Sequence, residues 1–204
     1  MTEAKIRTEI PPVVLHTRPA LDMDEEQFFE FCRLNRDWRI ERTADGDLEI
    51  MPPTGGETGN RNLKIALQLG QWTERDGTGV AFDSSTGFVL PNGATRSPDA
   101  SWVRRERLQT LSAEQKSKFP PLSPDFVVEL RSPSDPLATV EAKLREYIEN
   151  GARLGWLIDP ETRRAHIHRS NEPVQVLEDP DSLSGDPVLP GFILDLRRIW
   201  ETGL

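Results

Sequence analysis

The chain has 204 residues, of which 36% are apolar and 29% charged, a length and composition typical of one soluble globular domain. Its 25 Lys and Arg against 34 Asp and Glu give a formal charge of −9, which excludes nucleic-acid binding by global electrostatic attraction. The single cysteine, Cys32, excludes an internal disulfide, and its apolar helical surroundings favour a core thiol over a nucleophile. No apolar run approaches the roughly 18 to 20 residues that cross a bilayer, and the polar N-terminus lacks a signal-peptide pattern, so we expect a cytoplasmic protein that binds no membrane.

The first elements along the chain are a helix and a β-hairpin. A helix is predicted over residues 22–35, because Asp22 followed by Glu25 forms a capping-box pattern before an apolar stripe. Two alternating runs on either side of Asp45-Gly46 then predict a hairpin.

A second helix is predicted from about residue 57 to the glycines at 77 and 79. Its apolar residues occur on nearly all faces, which predicts protein packed on both sides. Four short β-rich pieces follow, with the sequences GVAFD, TGFVLPNG, DASWV and FVVEL. In the charged connection before the last piece, Ser112 and Gln115 form another capping-box pattern.

A third helix is predicted at about 136–150, with Asp135 as its N-cap, Pro136 at the first helical position and Gly151 after its end. The runs GWLID, RAHIHR and VQVLE then predict strands. The tail LPGFILDLRRIW predicts the end of a strand and a short helix.

This order of elements predicts an α/β fold. Its core elements follow the order helix, three strands, helix and strand. The sheet is expected to be mixed, because the connection through the helix at 136–150 is long enough for a parallel crossover. An N-terminal helix and hairpin precede this core and further strands follow it. We expect a Pro-rich leader over residues 1–21 and a single domain over residues 22–204, because no repeat or linker divides the chain.

One core strand carries an acid among apolar residues. In DFVVEL, alternation places Asp125 and Glu129 on one face, but four residues of strand span about 13 Å, too far for two carboxylates to share one Mg²⁺. Asp99 begins the neighbouring strand DASWV, and residues opposite one another on paired strands have Cβ atoms only about 5 Å apart. We therefore expect Asp99 to be the functional partner of Glu129, and Asp125 to accept local hydrogen bonds where its strand begins.

The helix at 136–150 supplies a candidate cation. At 100° per residue, Lys143 lies roughly 60° from Val140 on the side of Tyr147, so it borders the apolar stripe, whereas Arg145 points away. A lysine there can deliver its ammonium to carboxylates at the sheet; the alternative is a lysine extended along the surface.

These candidates resemble the motif of the PD-(D/E)xK nuclease superfamily. The residues that carry the resemblance are Pro98-Asp99, Glu129-Leu130-Arg131 and Lys143. The segments RSPDASWV, PDFVVELRSPSD and KLREYIENGARLGWLIDP, in this order, are similar to the Uma-type branch of candidate restriction endonucleases. The resemblance covers about Asp22 to Trp200. It implies a restriction-endonuclease-like core and cleavage of a DNA phosphodiester with Mg²⁺ (or Mn²⁺), with Asp99 and Glu129 as metal ligands.

The chain departs from the superfamily motif at one position. The motif has Lys two residues after the acid, where this chain has Arg131, which stays protonated and cannot act as a base although it can hold a phosphate. The resemblance to members whose lysine has moved to the following helix gives Lys143 that role. By the same resemblance, Glu57 matches a position where some members of the superfamily supply a further acid to the site. Its angular position on the predicted helix instead favours exposure at the surface.

Two hypotheses of function follow. The first is a Mg²⁺-dependent endonuclease in which the metal polarises the scissile phosphate and Lys143 stabilises negative charge. The second is a catalytically inactive, nuclease-derived module for DNA binding or assembly, which the arginine at 131 and the acidic net charge favour. Cutting both strands requires two active sites, so we also expect a homodimer joined through the tail with Trp200.

Two further pairs of residues are expected to have structural roles and no catalytic or metal-binding role. His166 and His168 share one strand face with no cysteine nearby, so we expect an exposed pair and no metal site. Trp102 and Trp156 lie in strand patterns and are predicted to be core residues.

Overall fold

The computed structural model of the protein describes residues 12–204. The strands, in chain order, are β1 (Val13–Leu15), β2 (Arg39–Arg42), β3 (Leu48–Met51), β4 (Gly79–Asp83), β5 (Phe88–Val89), β6 (Thr95–Arg96), β7 (Ala100–Arg104), β8 (Phe126–Leu130), β9 (Leu154–Asp159), β10 (Arg164–Arg169), β11 (Gln175–Glu178), β12 (Ser182–Ser184) and β13 (Ile193–Asp195). The helices, in chain order, are α1 (Glu25–Leu34), α2 (Gly56–Asp76), α3 (Arg105–Gln109), α4 (Ala113–Ser117), α5 (Leu137–Glu149) and α6 (Arg197–Trp200).

The main sheet has six strands in the order β11-β10-β9-β8-β7-β4. Strands β4, β7 and β8 are antiparallel neighbours, whereas β8 and β9 run parallel. A parallel pair needs a crossover connection, and α5 provides it. The predicted α/β core of helix, three strands, helix, strand is confirmed as α2, β4, β7, β8, α5 and β9, and its sheet is mixed as predicted.

A second sheet contains five antiparallel strands in the order β1-β3-β2-β6-β5. At its centre is the predicted hairpin, which turns at Gly46 with a φ of +95°, a left-handed conformation that glycine adopts without strain. Strand β1 falls within the segment 1–21 that the sequence marks as a leader, and residues 1–11 lie outside the described part. The boundaries of leader and domain therefore stay a prediction.

Alternate residues of β8 enter two separate apolar clusters. The cluster on the α2 side includes Phe126, Val128 and Leu130 of β8 together with Trp102 and Trp156. The cluster beneath α5 includes Val127, Leu144 and Tyr147. Both tryptophans are fully buried, which confirms them as core residues. Because β8 and α5 pack directly on each other, the residues they direct toward the end of the sheet keep a fixed spacing.

Helix α2 is covered on one face only. Ile65, Leu69 and Trp72 recur at helical spacing and are buried, whereas Leu63 and Leu67 are 64% and 46% exposed. The expectation of protein on both sides is wrong, because the second apolar stripe faces solvent.

Two helix starts differ from the prediction because other groups engage the expected caps. Helix α1 begins after Asp24, whose capping box uses Gln27, while the expected cap Asp22 accepts hydrogen bonds from Arg18. Helix α5 begins after Pro136, and the carboxylate of the expected cap Asp135 accepts from the backbone N–H of Ser132. Gly151 follows α5 with a φ of +106°, and the capping box of Ser112 at α4 is confirmed.

The histidine pair is buried, so the expectation of an exposed pair is wrong. His166 and His168 are 5% and 3% exposed, because β10 is an inner strand between β9 and β11 and its face packs against α5. His166 Nδ1 lies 3.1 Å from Glu141 Oε1 on that helix. The Nε2 atoms of both rings are buried without a hydrogen-bond partner among residues 12–204.

The C-terminal tail packs within the chain. Trp200 is 7% exposed and its indole N–H donates to the carbonyl of Pro180 at 2.9 Å. Its role as a contact between protomers is therefore not supported by its position, and the homodimer stays a prediction. None of the helices in residues 12–204 combines the length and apolar character needed to span a membrane.

Candidate active site

Two carboxylates meet where β7 and β8 pair. Ala100 lies opposite Val128 in antiparallel register, so the register continues to Asp99 beside Glu129. Asp99 Oδ2 accepts a hydrogen bond of 2.9 Å from the backbone N–H of Leu130, which ties this carboxylate to β8. Its other oxygen lies 3.4 Å from the amide nitrogen of Asn62 and 3.5 Å from Arg39 Nη1. The sheet itself thus holds Asp99 beside the strand that carries Glu129.

Glu129 is buried at the end of the apolar run of β8. Only 6% of the residue is exposed, and its Oε1 lies 3.1 Å from Lys143 Nζ and accepts from the hydroxyl of Tyr147 at 3.2 Å. Burial raises the pKa of Glu129 to about 7; Lys143 opposes this shift and the nearby Asp99 adds to it. Burial thus disfavours the ionised form of Glu129, and a cation beside it favours that form.

Lys143 reaches the sheet from α5, as its position on the helix predicted. Its Nζ lies between two carboxylates, 2.9 Å from Glu41 Oε1 and 3.1 Å from Glu129 Oε1. Burial alone would lower the pKa of Lys143, but Glu129 and Glu41 outweigh it and raise that pKa above its ordinary value. The amine is thus held as an ammonium.

Glu41 is a residue of this site that sequence reasoning missed. It lies on β2, is fully buried, and accepts from the backbone N–H of Ser97 at 3.0 Å. Burial would raise the pKa of Glu41, but Lys143, Arg96 and Arg39 lower it, so the side chain is a carboxylate. The available signal was an acid inside the alternating strand RIER, the same signal that identified Glu129.

The charged groups open onto a cavity of about 330 Å³. Its described lining combines charged residues with an apolar and hydroxyl-bearing wall that includes Met51, Pro52, Thr58, Ser132, Pro136 and Val140. The charged lining residues are Glu41, Glu49, Asp99, Glu129 and Asp135 with Arg39 and Lys143, so five carboxylates face two cations. A phosphate entering this cavity is repelled unless further positive charge is supplied.

Two other candidates, Arg131 and Glu57, and the excluded Asp125 have partners of their own. Asp125 accepts from the backbone N–H of Arg104 at 2.9 Å and pairs with Arg107 at 3.0 Å, so its contacts come from the neighbouring strand and α3 and are not local as expected. Arg131 Nη1 binds Asp159 Oδ2 at 2.8 Å, and its Nε donates to the carbonyl of Asp135. Glu57 is exposed at the start of α2 and pairs with Arg61. None of these three is among the described residues that line the cavity.

The donor set fits Mg²⁺ or Mn²⁺ with two protein ligands. Asp99 and Glu129 supply hard carboxylate oxygens from adjacent strands, and Mg²⁺ in proteins is commonly held by one or two carboxylates while water or substrate phosphate completes its shell. Among residues 12–204, no group of three or more His, Cys, Asp or Glu side chains is arranged to hold a metal ion. A cation here would therefore depend on water or substrate for most of its ligands.

Comparison with known proteins agrees with this fold. A model of the Uma2 family, described as "Putative restriction endonuclease", matches residues 25–197. A solved structure from Anabaena variabilis ATCC 29413, described as "a putative nuclease belonging to DUF820", matches 88% of this chain and 98% of its own with a TM-score of 0.70. The sequence identity is 16%, so this likeness concerns the fold alone, and it agrees with the predicted α/β class with a mixed sheet. No curated protein matches the chain.

Proposed function

The chain belongs to the Uma2 family, and from this membership and the site geometry we propose that it is a metal-dependent endonuclease that hydrolyses DNA phosphodiester bonds. The observation that carries the proposal is the convergence of Asp99, Glu129 and Lys143 on one cavity from two adjacent strands and a helix. Two acids beside a lysine are the arrangement expected for the PD-(D/E)xK type of site.

In this proposal Asp99 and Glu129 hold Mg²⁺ or Mn²⁺. When bound, the cation supplies Lewis-acid polarisation of the scissile phosphate and lowers the pKa of a bound water. Asp99 is oriented for this by the Leu130 N–H, and Glu129 by the hydroxyl of Tyr147. These two hydrogen bonds fix the carboxylates before substrate arrives, which reduces the reorganisation that catalysis requires.

Lys143 acts as a fixed positive charge in this mechanism. In the metal-free cavity, Glu129 and Glu41 raise the pKa of Lys143, so Nζ carries its proton and can donate a hydrogen bond to negative oxygen. Close to the carboxylates, that ammonium can stabilise charge on the phosphate oxygens as the nucleophile attacks.

The acidic lining explains why metal dependence is expected. Five carboxylates against two cations repel a phosphate backbone, and a divalent cation at Asp99 and Glu129 reverses the sign of the local field. The role of Arg131 changes in this proposal: its guanidinium is engaged by Asp159, so we assign it to stability and not to a phosphate contact.

The alternative is an inactive nuclease-derived module that binds DNA or assembles without cutting. The sequence favoured it because arginine occupies position 131, but an ammonium 3.1 Å from Glu129 supplies the cation from another element. The acidic net charge is the remaining argument for it.

Supercoiled plasmid incubated with Mg²⁺, Mn²⁺ or a chelator tests the proposal directly. We expect nicked or linear product only with metal, and no product from Asp99→Asn or Glu129→Gln, each verified as folded by circular dichroism. Absence of both metal-dependent cleavage and Mn²⁺ binding by calorimetry in the wild type would overturn the enzyme in favour of the inactive module.

A further inference from the structure

We propose that Glu41 is a positioning residue for Lys143, an inference that rests on the proposed function of the cavity. Glu41 comes from β2, outside the elements that supply Asp99, Glu129 and Lys143. It is fully buried, and its Oε1 lies 2.9 Å from Lys143 Nζ, slightly nearer than Glu129.

Glu41 is itself held in place from two sides. The backbone N–H of Ser97 donates to Oε1 at 3.0 Å, and Arg96 Nη1 lies 3.3 Å from Oε2. Arg96 is in turn bound by Glu49 and, at 2.6 Å, by Glu146 of α5. Since Ser97 is two residues before Asp99, one carboxylate links Lys143 to the segment that carries the first acid.

A second anchor for Lys143 matters once Glu129 binds a cation. Glu129 would be shared between the ammonium of Lys143 and a divalent ion if one were bound, and the two positive charges would repel each other. Glu41 is fully buried, so releasing Lys143 would leave a buried carboxylate less well paired. Glu41 therefore keeps Lys143 beside the site when Glu129 can no longer hold it.

Glu49 provides a matched control. It lies directly opposite Glu41 on β3, lines the same cavity and also binds Arg96. Among the hydrogen bonds and ion pairs of residues 12–204, none joins Glu49 to Lys143. Glu41→Gln and Glu49→Gln thus each remove one negative charge from the cavity lining and from Arg96, but only Glu41→Gln removes the carboxylate that pairs with Lys143 and lies 3.8 Å from Arg39.

Steady-state cleavage by Glu41→Gln, Glu49→Gln, Lys143→Met and the double variant Glu41→Gln/Lys143→Met tests the role. We expect Glu41→Gln to lower kcat by about 10-fold or more with little change in KM, and Glu49→Gln, which removes one partner of Arg96 but no contact with Lys143, to lower kcat less. The double variant should equal Lys143→Met alone, because a residue that acts through Lys143 has no effect without it. Effects that multiply, or equal losses in both single Gln variants, would overturn the proposal.

Glu41→Asp separates position from charge and guards against misfolding of Glu41→Gln. It keeps the negative charge for Arg96 and Lys143 but withdraws the carboxylate by about 1.5 Å, one carbon–carbon bond. We expect a lower kcat with a melting temperature close to wild type. Wild-type kcat in Glu41→Asp contradicts a positioning role.

A second measurement does not depend on catalytic activity. It is the acylation rate of Lys143, followed by mass spectrometry with the exposed Lys116 as internal reference. Loss of the anchor frees the amine, so we expect faster labelling in Glu41→Asp and Glu41→Gln than in wild type and Glu49→Gln. Unchanged labelling overturns the anchor. If wild type cuts no DNA while the labelling difference holds, the nuclease proposal fails and the Glu41–Lys143 anchor stands.

Discussion

The backbone N–H of Leu130 donates to Asp99 Oδ2 at 2.9 Å, so the carboxylate of Asp99 is bonded to the residue that follows Glu129. This side-chain bond continues the β7–β8 pairing one residue beyond its last backbone pair. It keeps Asp99 directly beside Glu129 in the sheet. The sequence Ser-Pro-Asp (SPD) occurs at 97–99 and again at 123–125, and Asp125 of the second is bonded instead to the backbone N–H of Arg104 and to Arg107. The two SPD sequences therefore occupy different environments.

The first prediction contrasts these two aspartates. Asp99→Asn removes one negative ligand from the proposed metal site, so Mn²⁺ affinity should fall about 10-fold or more. Asp125→Asn should lower the melting temperature, because Asp125 is 3% exposed and pairs with Arg107, yet bind Mn²⁺ as wild type does. Titration calorimetry of both variants measures this. Equal Mn²⁺ affinity in Asp99→Asn and wild type would remove Asp99 from the site.

The second prediction concerns Arg131, which the sequence presented as a phosphate contact. Its guanidinium binds Asp159, a residue 1% exposed, so Arg131→Ala should destabilise the fold by about 1–3 kcal/mol with KM unchanged. Arg164→Ala is the control, because the Arg164–Glu178 pair is on the surface and such pairs contribute about 1 kcal/mol at most. Urea unfolding and DNA cleavage kinetics measure the two effects. A raised KM without loss of stability would show that Arg131 binds phosphate after all.

The third prediction is a loss of stability in acid through His168. Burial lowers the pKa of His168 to about 4, with His166 and Arg145 adding to the shift and Glu141 opposing it. The unfolded chain keeps the ordinary value of 6.5, so between these values it binds more protons than the folded chain. The contribution of His168 is therefore fully present above pH 6.5 and is lost as the pH falls toward 4. One proton limits the slope to about 1.4 kcal/mol per pH unit.

Urea unfolding of His168→Leu across this range measures the effect. The variant should show a shallower pH dependence than wild type, because it has no ring to protonate. His16→Leu, which removes a histidine whose side chain is 81% exposed, serves as the comparison variant. Identical slopes for wild type and His168→Leu would exclude His168 as the source of acid sensitivity.

The sequence predicted the parts of the site that local periodicity determines. Alternation along β8 identified Glu129, strand pairing brought Asp99 beside it, and the 100° rotation of α5 turned Lys143 toward the sheet. Glu41 was not found, because its contact with Lys143 depends on how the second sheet packs over the end of the main sheet. No local pattern in β2 specifies that packing, although an acid within a strand was a visible signal.

Two errors have different physical origins. Asp22 has the residue type and spacing of a helix cap, but Arg18 binds its carboxylate, and the helix begins after Asp24. The histidine pair has the alternation of a half-exposed strand, but β10 is an inner strand beneath α5. A competing local contact displaced the first prediction, whereas a tertiary contact, which one sequence does not specify, overrode the second.

The last prediction separates binding from turnover at Lys143, which distinguishes an active enzyme from an inactive relative. Lys143→Met keeps the aliphatic stem but removes the ammonium that lies between Glu41 and Glu129, so kcat should fall about 100-fold or more. Mn²⁺ affinity, measured at about pH 8.5 so that the ligand carboxylates stay ionised, should not weaken, because the lost ammonium competed with metal for Glu129. Arg145→Met is the matched control: Arg145 is exposed two residues further along α5, and kcat and Mn²⁺ affinity should both stay near wild type. If Lys143→Met cuts DNA as fast as wild type, the lysine on α5 does not replace the one missing at 131, and the charge that stabilises the reaction must come from another group.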